Sequence, residues 1–233
     1  MKWQDQGYIL SAKNHGERSK IISVFTPDHG RHAGLWRGTS KTQSNVQIGN
    51  LVECHWSARL PEHLGMWQLE VVNAPLGRLF QDAPRLLALT SLTALIDQLL
   101  PERHPYADLY QQFSHYITHE VWADEWLSAY VSYEFMLLEQ LGFGLDLQRC
   151  AVTGQTHDLI YVSPKTGRAV SIEAGEPYKD RLLPLPQSLL THDTVAAIDI
   201  IPALRLSGYF LQQHLASKGL PQQRQQLFDH FNK

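Results

Sequence analysis

The chain has 233 residues, of which 43% are hydrophobic and 18% charged, enough apolar content to bury one core or two small ones and too much for a disordered chain. Its apolar runs are broken by Asp, Gln or Pro within about ten residues, short of the roughly 18 to 20 that a membrane-crossing helix needs. The net charge of −3 hides an asymmetry, because residues 1–80 carry 9 Lys/Arg against 6 Asp/Glu and residues 81–233 carry 11 against 17. Residues 2–41 alone hold 7 basic against 3 acidic side chains, the local pattern of a surface that meets phosphates. The opening Met-Lys-Trp-Gln-Asp-Gln has no apolar stretch and no small-residue cleavage site, which gives the expectation of a cytoplasmic protein. Cys54 and Cys150, the two cysteines, cannot alone build a disulfide framework or a four-thiolate zinc site.

Short strands come first. Gly7-Tyr-Ile-Leu-Ser11 and the β-branched run Lys20-Ile-Ile-Ser-Val-Phe-Thr26 flank a polar turn at Asn14-His15-Gly16-Glu17, and Pro27-Asp28-His29-Gly30 supplies hairpin-turn chemistry before a strand over 31–37. A polar stretch over 38–45 reads as a mobile loop. Leu51-Val-Glu-Cys-His-Trp-Ser57 and Met66-Trp-Gln-Leu-Glu-Val-Val72 resume the strand pattern. Five strands in about 70 residues suit a small closed barrel, because closure removes exposed sheet edges.

From residue 82 the period becomes helical. Leu86, Leu89, Leu92, Ile96 and Leu99 recur at spacings of three or four up to Pro101, with Pro84 at an early helix position. A second helix is predicted over 106–121 and a third over 126–141, with Gly142 as its cap; the three should pack together. Leu159-Ile-Tyr-Val-Ser163 and Ala169-Val-Ser-Ile172 flank Pro164-Lys-Thr-Gly167 and predict a β-ribbon. Residues 193–218 carry an apolar stripe with a break near Pro202, and 222–231 predict a closing helix. The fold class is α+β, a β-barrel followed by a mainly helical region with a small ribbon inserted.

No phosphate-binding loop, dinucleotide fingerprint or nucleophile elbow is present. His115 and His119 share a helix face at the i, i+4 spacing of some zinc motifs, but the order of the remaining ligands does not follow. A metal-dependent hydrolase built on them is one alternative reading, and a protein adaptor that keeps the barrel without binding nucleic acid is another. Cys150 opens Cys-Ala-Val-Thr-Gly154, where a zinc knuckle would place a second cysteine at Thr153, and it reads as a buried residue at the root of the ribbon. No metal and no cofactor are expected. The basic residues Lys13, Arg18, Lys20, Arg31, Arg37 and Lys41 are interleaved with Phe25 and Trp36, the mixture that binds single strands through phosphate contacts and base stacking. Phe25 reads as core, and Trp36 as either core or stacking platform.

Several motifs in order resemble the RecO family of bacterial DNA repair and recombination mediators. They are Gly7-Tyr-Ile-Leu-Ser11, Gly16-Glu-Arg-Ser19, Val24-Phe-Thr-Pro-Asp-His-Gly-Arg31 and Trp36-Arg-Gly38. Downstream come Tyr133-Glu-Phe135 with Leu138-Glu-Gln-Leu-Gly-Phe-Gly-Leu-Asp-Leu147, Arg149-Cys-Ala151, Gly219-Leu-Pro221 and Arg224-Gln-Gln-Leu-Phe228. The resemblance spans nearly the whole chain. It implies an oligonucleotide-binding (OB) barrel over 1–80 and a helical domain over 81–233, with a degenerate zinc-like ribbon around 150–178. It also implies a non-enzymatic role: binding single- and double-stranded DNA, annealing complementary strands, and acting with RecR to load RecA indirectly on DNA coated by single-stranded-DNA-binding protein. On that reading the protein is cytoplasmic and nucleoid-associated, with no membrane partner. Lys13, Arg18, Lys20, Arg31, Arg37 and Lys41 would then contact phosphates and Trp36 stack on bases. Tyr106, Tyr110, Trp122, Trp126 and Tyr130 would line a groove for the acidic, apolar tail of the single-stranded-DNA-binding protein, or else pack as helix core.

Overall fold

Alternation of apolar and polar residues along the first 73 positions produces five strands, β1 (Lys2–Asn14), β2 (Ser19–Thr26), β3 (Gly30–Arg37), β4 (Leu51–Ser57) and β5 (Met66–Asn73). They close into a barrel in the order β1-β2-β3-β5-β4 in the computed structural model, which describes residues 1–38, 46–60, 62–79, 81–191 and 194–232. All neighbours are antiparallel except β3 and β5, whose parallel seam consists of the pairs Leu35–Met66 and Trp36–Trp67. This order and seam are those of an OB barrel. β1 runs well beyond the predicted segment at both ends, pairing with β4 from Lys2 to Tyr8 and with β2 from Tyr8 to Asn14. A bulge between Ile9 and Ser11 lets one strand serve both neighbours. The barrel is filled by Ile9, Ile22, Val24, Trp36, Val52, Cys54, Trp56 and Trp67. Its indoles are anchored: Trp67 Nε1–H donates to the Ile22 carbonyl at 3.1 Å and Trp56 Nε1–H to Leu64 at 3.1 Å.

The chain divides into two compact units, residues 1–119 with 221–227, and residues 120–220 with 228–233. The first holds the barrel, the short helix α1 (Leu76–Leu79), α2 (Ala83–Leu99) and α3 (Ala107–Thr118). Asp82 caps α2 by accepting from the Arg85 backbone N–H at 3.2 Å. α3 lies on the barrel wall, where Phe113 meets Tyr8 edge-on at 5.3 Å and Tyr110 meets Phe25 at 5.4 Å. A hydrogen bond of 2.9 Å joins the Tyr8 and Ser114 hydroxyls. Of the three helices predicted to pack together, α2 and α3 fall in the unit that holds the barrel and the third falls in the second unit. The aromatic face of α3 is already occupied by strand residues.

The second unit is built on α4 (Trp126–Gln140) and α7 (Ile200–His214). Between them the buried Glu134 carboxylate accepts from Tyr130 Oη–H at 2.7 Å and from Ser207 Oγ–H. α4 ends as its sequence demands: Gly142 takes φ +85°, Phe143 N–H reaches the Leu138 carbonyl at 2.8 Å and Gly142 N–H that of Glu139 at 2.9 Å, the paired bonds of a Schellman cap. Pro202 lies in the first turn of α7, and the run predicted over 193–218 is interrupted just before it, where a 3-10 turn over Ala197–Asp199 gives way to the α-helix. The ribbon β6 (Leu159–Val162) and β7 (Ala169–Ser171) gains a third strand, β8 (Leu183–Pro184), and the sheet order is β7-β6-β8. Two short helices, α5 (Ile172–Gly175) and α6 (Ser188–Thr191), follow the ribbon. The last helix, α8 (Gln222–Phe231), begins among residues of the first unit and ends among those of the second. Among the described residues no helix is long and apolar enough to cross a membrane.

Candidate nucleic-acid interface

The β2–β3 hairpin decides which side chains face outward. Its register pairs Ile22 with Gly34 and Val24 with His32 on the inner side, and Ser19 with Arg37, Ile21 with Leu35 and Phe25 with Arg31 on the outer side. After the β1 bulge, Ala12 pairs with Ile22 and packs toward the core, so Lys13, paired with Ile21, faces out. Lys13 and Arg37 thus share one outer face of the barrel, and Arg18 lies exposed in the β1–β2 turn beside it. The strand 2–3 face with the β1–β2 and β4–β5 loops is where OB barrels take oligonucleotides. Arg59, exposed in the β4–β5 connection, joins this set. The sequence reading missed it because the strand order that makes the loop relevant follows from long-range pairing.

Two predicted contacts are corrected by the structure. Arg31 is turned to the protein: its Nε–H donates to the Leu100 carbonyl at 2.8 Å, and Nη1 stands 3.3 Å from Glu102 and 3.6 Å from Asp97. Two carboxylates already balance its charge. Trp36 is 6% exposed and belongs to the barrel filling, because its place in the register puts it on the inner side. Of its two readings, core is the one realised, and Phe25 is buried as expected. Lys20 pairs with Trp36 across the hairpin and so stands on the side opposite Lys13 and Arg37. Lys41 lies outside the described residues, as does most of the polar loop around it.

The barrel interior carries a second aromatic group. His32 is buried, makes edge contacts with Trp3 at 5.1 Å and Trp56 at 4.6 Å, and neither ring nitrogen has a hydrogen-bond partner among the described residues. Burial, and then the nearby Arg103 charge, hold its pKa down at about 4. Trp3 is covered on one face by His29, stacked at 3.9 Å, and His29 Nδ1 is 3.1 Å from Asp5.

The five aromatic residues of the expected tail-binding groove are divided between the two units. Tyr106 and Tyr110 belong to the first unit and Trp122, Trp126 and Tyr130 to the second. Tyr110 packs on Tyr8 and Phe25 and donates to the Gln6 carbonyl at 3.3 Å, and burial raises its pKa. Tyr130 is fully buried. Trp122, at 37% exposure, presents the most open ring of the three in its unit, while Trp126 contacts Phe231 at 5.9 Å. A separate groove of about 750 Å³ in the second unit is lined by Phe135, Met136, Leu145 and Leu147 with Glu139 and Asp146, and among the described residues no cation lines it.

The ribbon does not fit a zinc ion. Cys150 Sγ accepts from Ser171 N–H at 3.3 Å, Ser171 Oγ–H at 3.4 Å and Thr153 N–H at 3.5 Å. Burial raises the thiol pKa, but these bonds outweigh it and bring the group to about 6. Among the described residues no three His, Cys, Asp or Glu side chains converge on a point. His115 and His119 meet ring edge to ring face at 5.0 Å.

Comparison with known proteins adds the family. Residues 1–74 match the model described as Recombination protein O N terminal, and residues 81–224 the one described as Recombination protein O C terminal. The chain belongs to the RecO family. It is 43% identical over 235 residues to the DNA repair protein RecO of Ruegeria sp., covering 98% of each chain. It is 41% identical to that of Rhodospirillum rubrum, over 100% of this chain and 97% of the relative, and 44% identical to that of Mesorhizobium japonicum, over 92% and 86%. The RecO N-terminal match covers all five barrel strands, and with them Lys13, Arg18, Arg37 and Arg59.

Proposed function

We propose that this chain is a recombination mediator of DNA repair that binds single- and double-stranded DNA and anneals complementary strands. With RecR it helps load RecA onto DNA coated by single-stranded-DNA-binding protein. Its nucleic-acid-binding part is residues 1–80, and residues 81–233 serve partner proteins, with Trp122 as an exposed anchor for the apolar tail of the single-stranded-DNA-binding protein. It works in the cytoplasm at the nucleoid. The observation that carries this reading is the outward grouping of Lys13 and Arg37 on an OB barrel, with Arg18 exposed in the β1–β2 turn and Arg59 exposed in the β4–β5 connection.

Annealing makes and breaks no covalent bond, so no catalytic group is assigned. Two strands must be relieved of phosphate repulsion by protein cations and held loosely enough to sample registers until base pairing takes over. Phosphate contacts are assigned to Lys13, Arg18, Arg37 and Arg59. The deciding experiment titrates the protein into a fluorescently labelled single-stranded oligonucleotide at several salt concentrations, followed by annealing of a dye-labelled complementary pair. Micromolar binding that weakens steeply with salt, together with faster annealing, supports the mediator; no binding at low salt transfers the barrel to a protein-adaptor role.

A further inference from the structure

One row of outward side chains crosses four strands of the barrel. The register sets Lys13 of β1 beside Ile21 of β2, Ile21 beside Leu35 of β3, and Leu35 beside Met66 of β5. Ile21 and Leu35 are half-buried and Met66 is 38% exposed, whereas two pairs further along the hairpin the same face is closed, with Phe25 under Tyr110 and Arg31 engaged by Leu100, Asp97 and Glu102. Among the described residues nothing covers the row, and Leu64, also exposed, follows it on a loop whose Gly65 carbonyl accepts from Leu35 N–H at 2.9 Å. Cations border it, Lys13 at one end and Arg37 on the next outward rung.

We infer that Ile21, Leu35 and Met66 form the surface on which the bases and sugars of a bound single strand rest, while its phosphates run to Lys13, Arg18 and Arg37. The inference rests on the DNA-binding reading above and specifies how the strand is held there. An aliphatic strip between positive charges complements a chain that is charged along its backbone and apolar on its base faces. Indole stacking is not offered on this row, because Trp36, Trp56 and Trp67 fill the barrel instead. Bases are therefore gripped without a slot for each ring, with no hydrogen-bond readout and little resistance to sliding, which suits strands that must search for their register.

The test uses the whole chain and two labelled probes of equal length and phosphate count, an oligothymidylate and an abasic oligomer. Expected is several-fold tighter binding of the oligothymidylate, a difference that Ile21→Ser with Met66→Ser abolishes while abasic binding and the salt slope stay unchanged. Thermal melts confirm that the doubly substituted chain folds, and the exposed Met66→Ser alone, which should halve the preference or better, serves if it does not. Equal affinity of the unaltered protein for both probes would overturn the row and leave charge-based DNA binding intact, as would a preference that survives the substitutions. Loss of binding to both probes in the unaltered protein would instead overturn the DNA-binding reading itself. Strong quenching of tryptophan emission at saturation would also refute the inference, since it would place an indole against the bases.

Discussion

Gly34 of β3 lies directly against the indole of Trp67: a Cβ at position 34 would stand 2.6 Å from Trp67 Cδ1 and Nε1. The ring cannot step aside cheaply, because its Nε1–H is bonded to Ile22. Gly34→Ala is expected to destabilise the barrel by about 1 to 3 kcal/mol through overpacking. Urea unfolding followed by tryptophan emission measures this, and an unchanged midpoint would show that the indole has room.

Arg31, Lys13 and Arg37 sit within one hairpin and its neighbour yet should respond differently to alanine. Lys13→Ala and Arg37→Ala are each expected to leave stability nearly unchanged and to reduce the salt slope of single-strand binding by about 0.7. Arg31→Ala should leave that slope alone and cost about 2 kcal/mol in stability, since it removes charge-assisted bonds to Leu100 and Glu102. A change in slope for Arg31→Ala would return this residue to the interface.

His32 makes stability depend on pH. Its folded pKa of about 4 lies below the ordinary 6.5, so the unfolded chain binds the extra proton between these values and stability falls as pH drops through that window. The contribution is complete above about 6.5 and lost progressively toward 4, amounting to about 2 kcal/mol between pH 7 and pH 5. His32→Leu should flatten that part of the profile in denaturant unfolding at stepped pH. Identical slopes for the two proteins would show that another group governs it.

The ribbon should hold without metal. Ser171→Ala and Cys150→Ala are each expected to cost about 1 kcal/mol, and the double substitution less than their sum, because both remove the hydrogen bond from Ser171 Oγ–H to Cys150 Sγ. Purified protein should melt at the same temperature with and without a chelator. A lowered melting point on chelation would mean that a metal binds.

Much of the fold was legible because its signals are local. The turn at Pro27 to Gly30, the alternation in β2 and the Gly142 cap each follow from a few neighbouring residues. The front of β1 was not, since Gln4, Asp5 and Gln6 show no apolar alternation and become strand only by pairing with β4 some fifty positions away. The same distance problem governs the site. Arg31 looks like any other exposed cation until Asp97 and Glu102 are brought to it, and whether Trp36 points in or out is settled by hairpin register, which places it level with Lys20. Lys13 was easier to place in sequence than in space, because the bulge after Ile9 shifts its parity.

The parallel seam between β3 and β5 consists of two residue pairs, and one of them, Leu35–Met66, lies in the uncovered row. A strand laid along that row touches both lips of the barrel's weakest closure and works as a clasp. Binding and barrel integrity are then thermodynamically linked, with each tenfold excess of ligand over its dissociation constant adding about 1.4 kcal/mol to the closed form. Amide exchange at the seam would slow as DNA occupies the face, making Leu35 and Met66 reporters of occupancy as well as contacts.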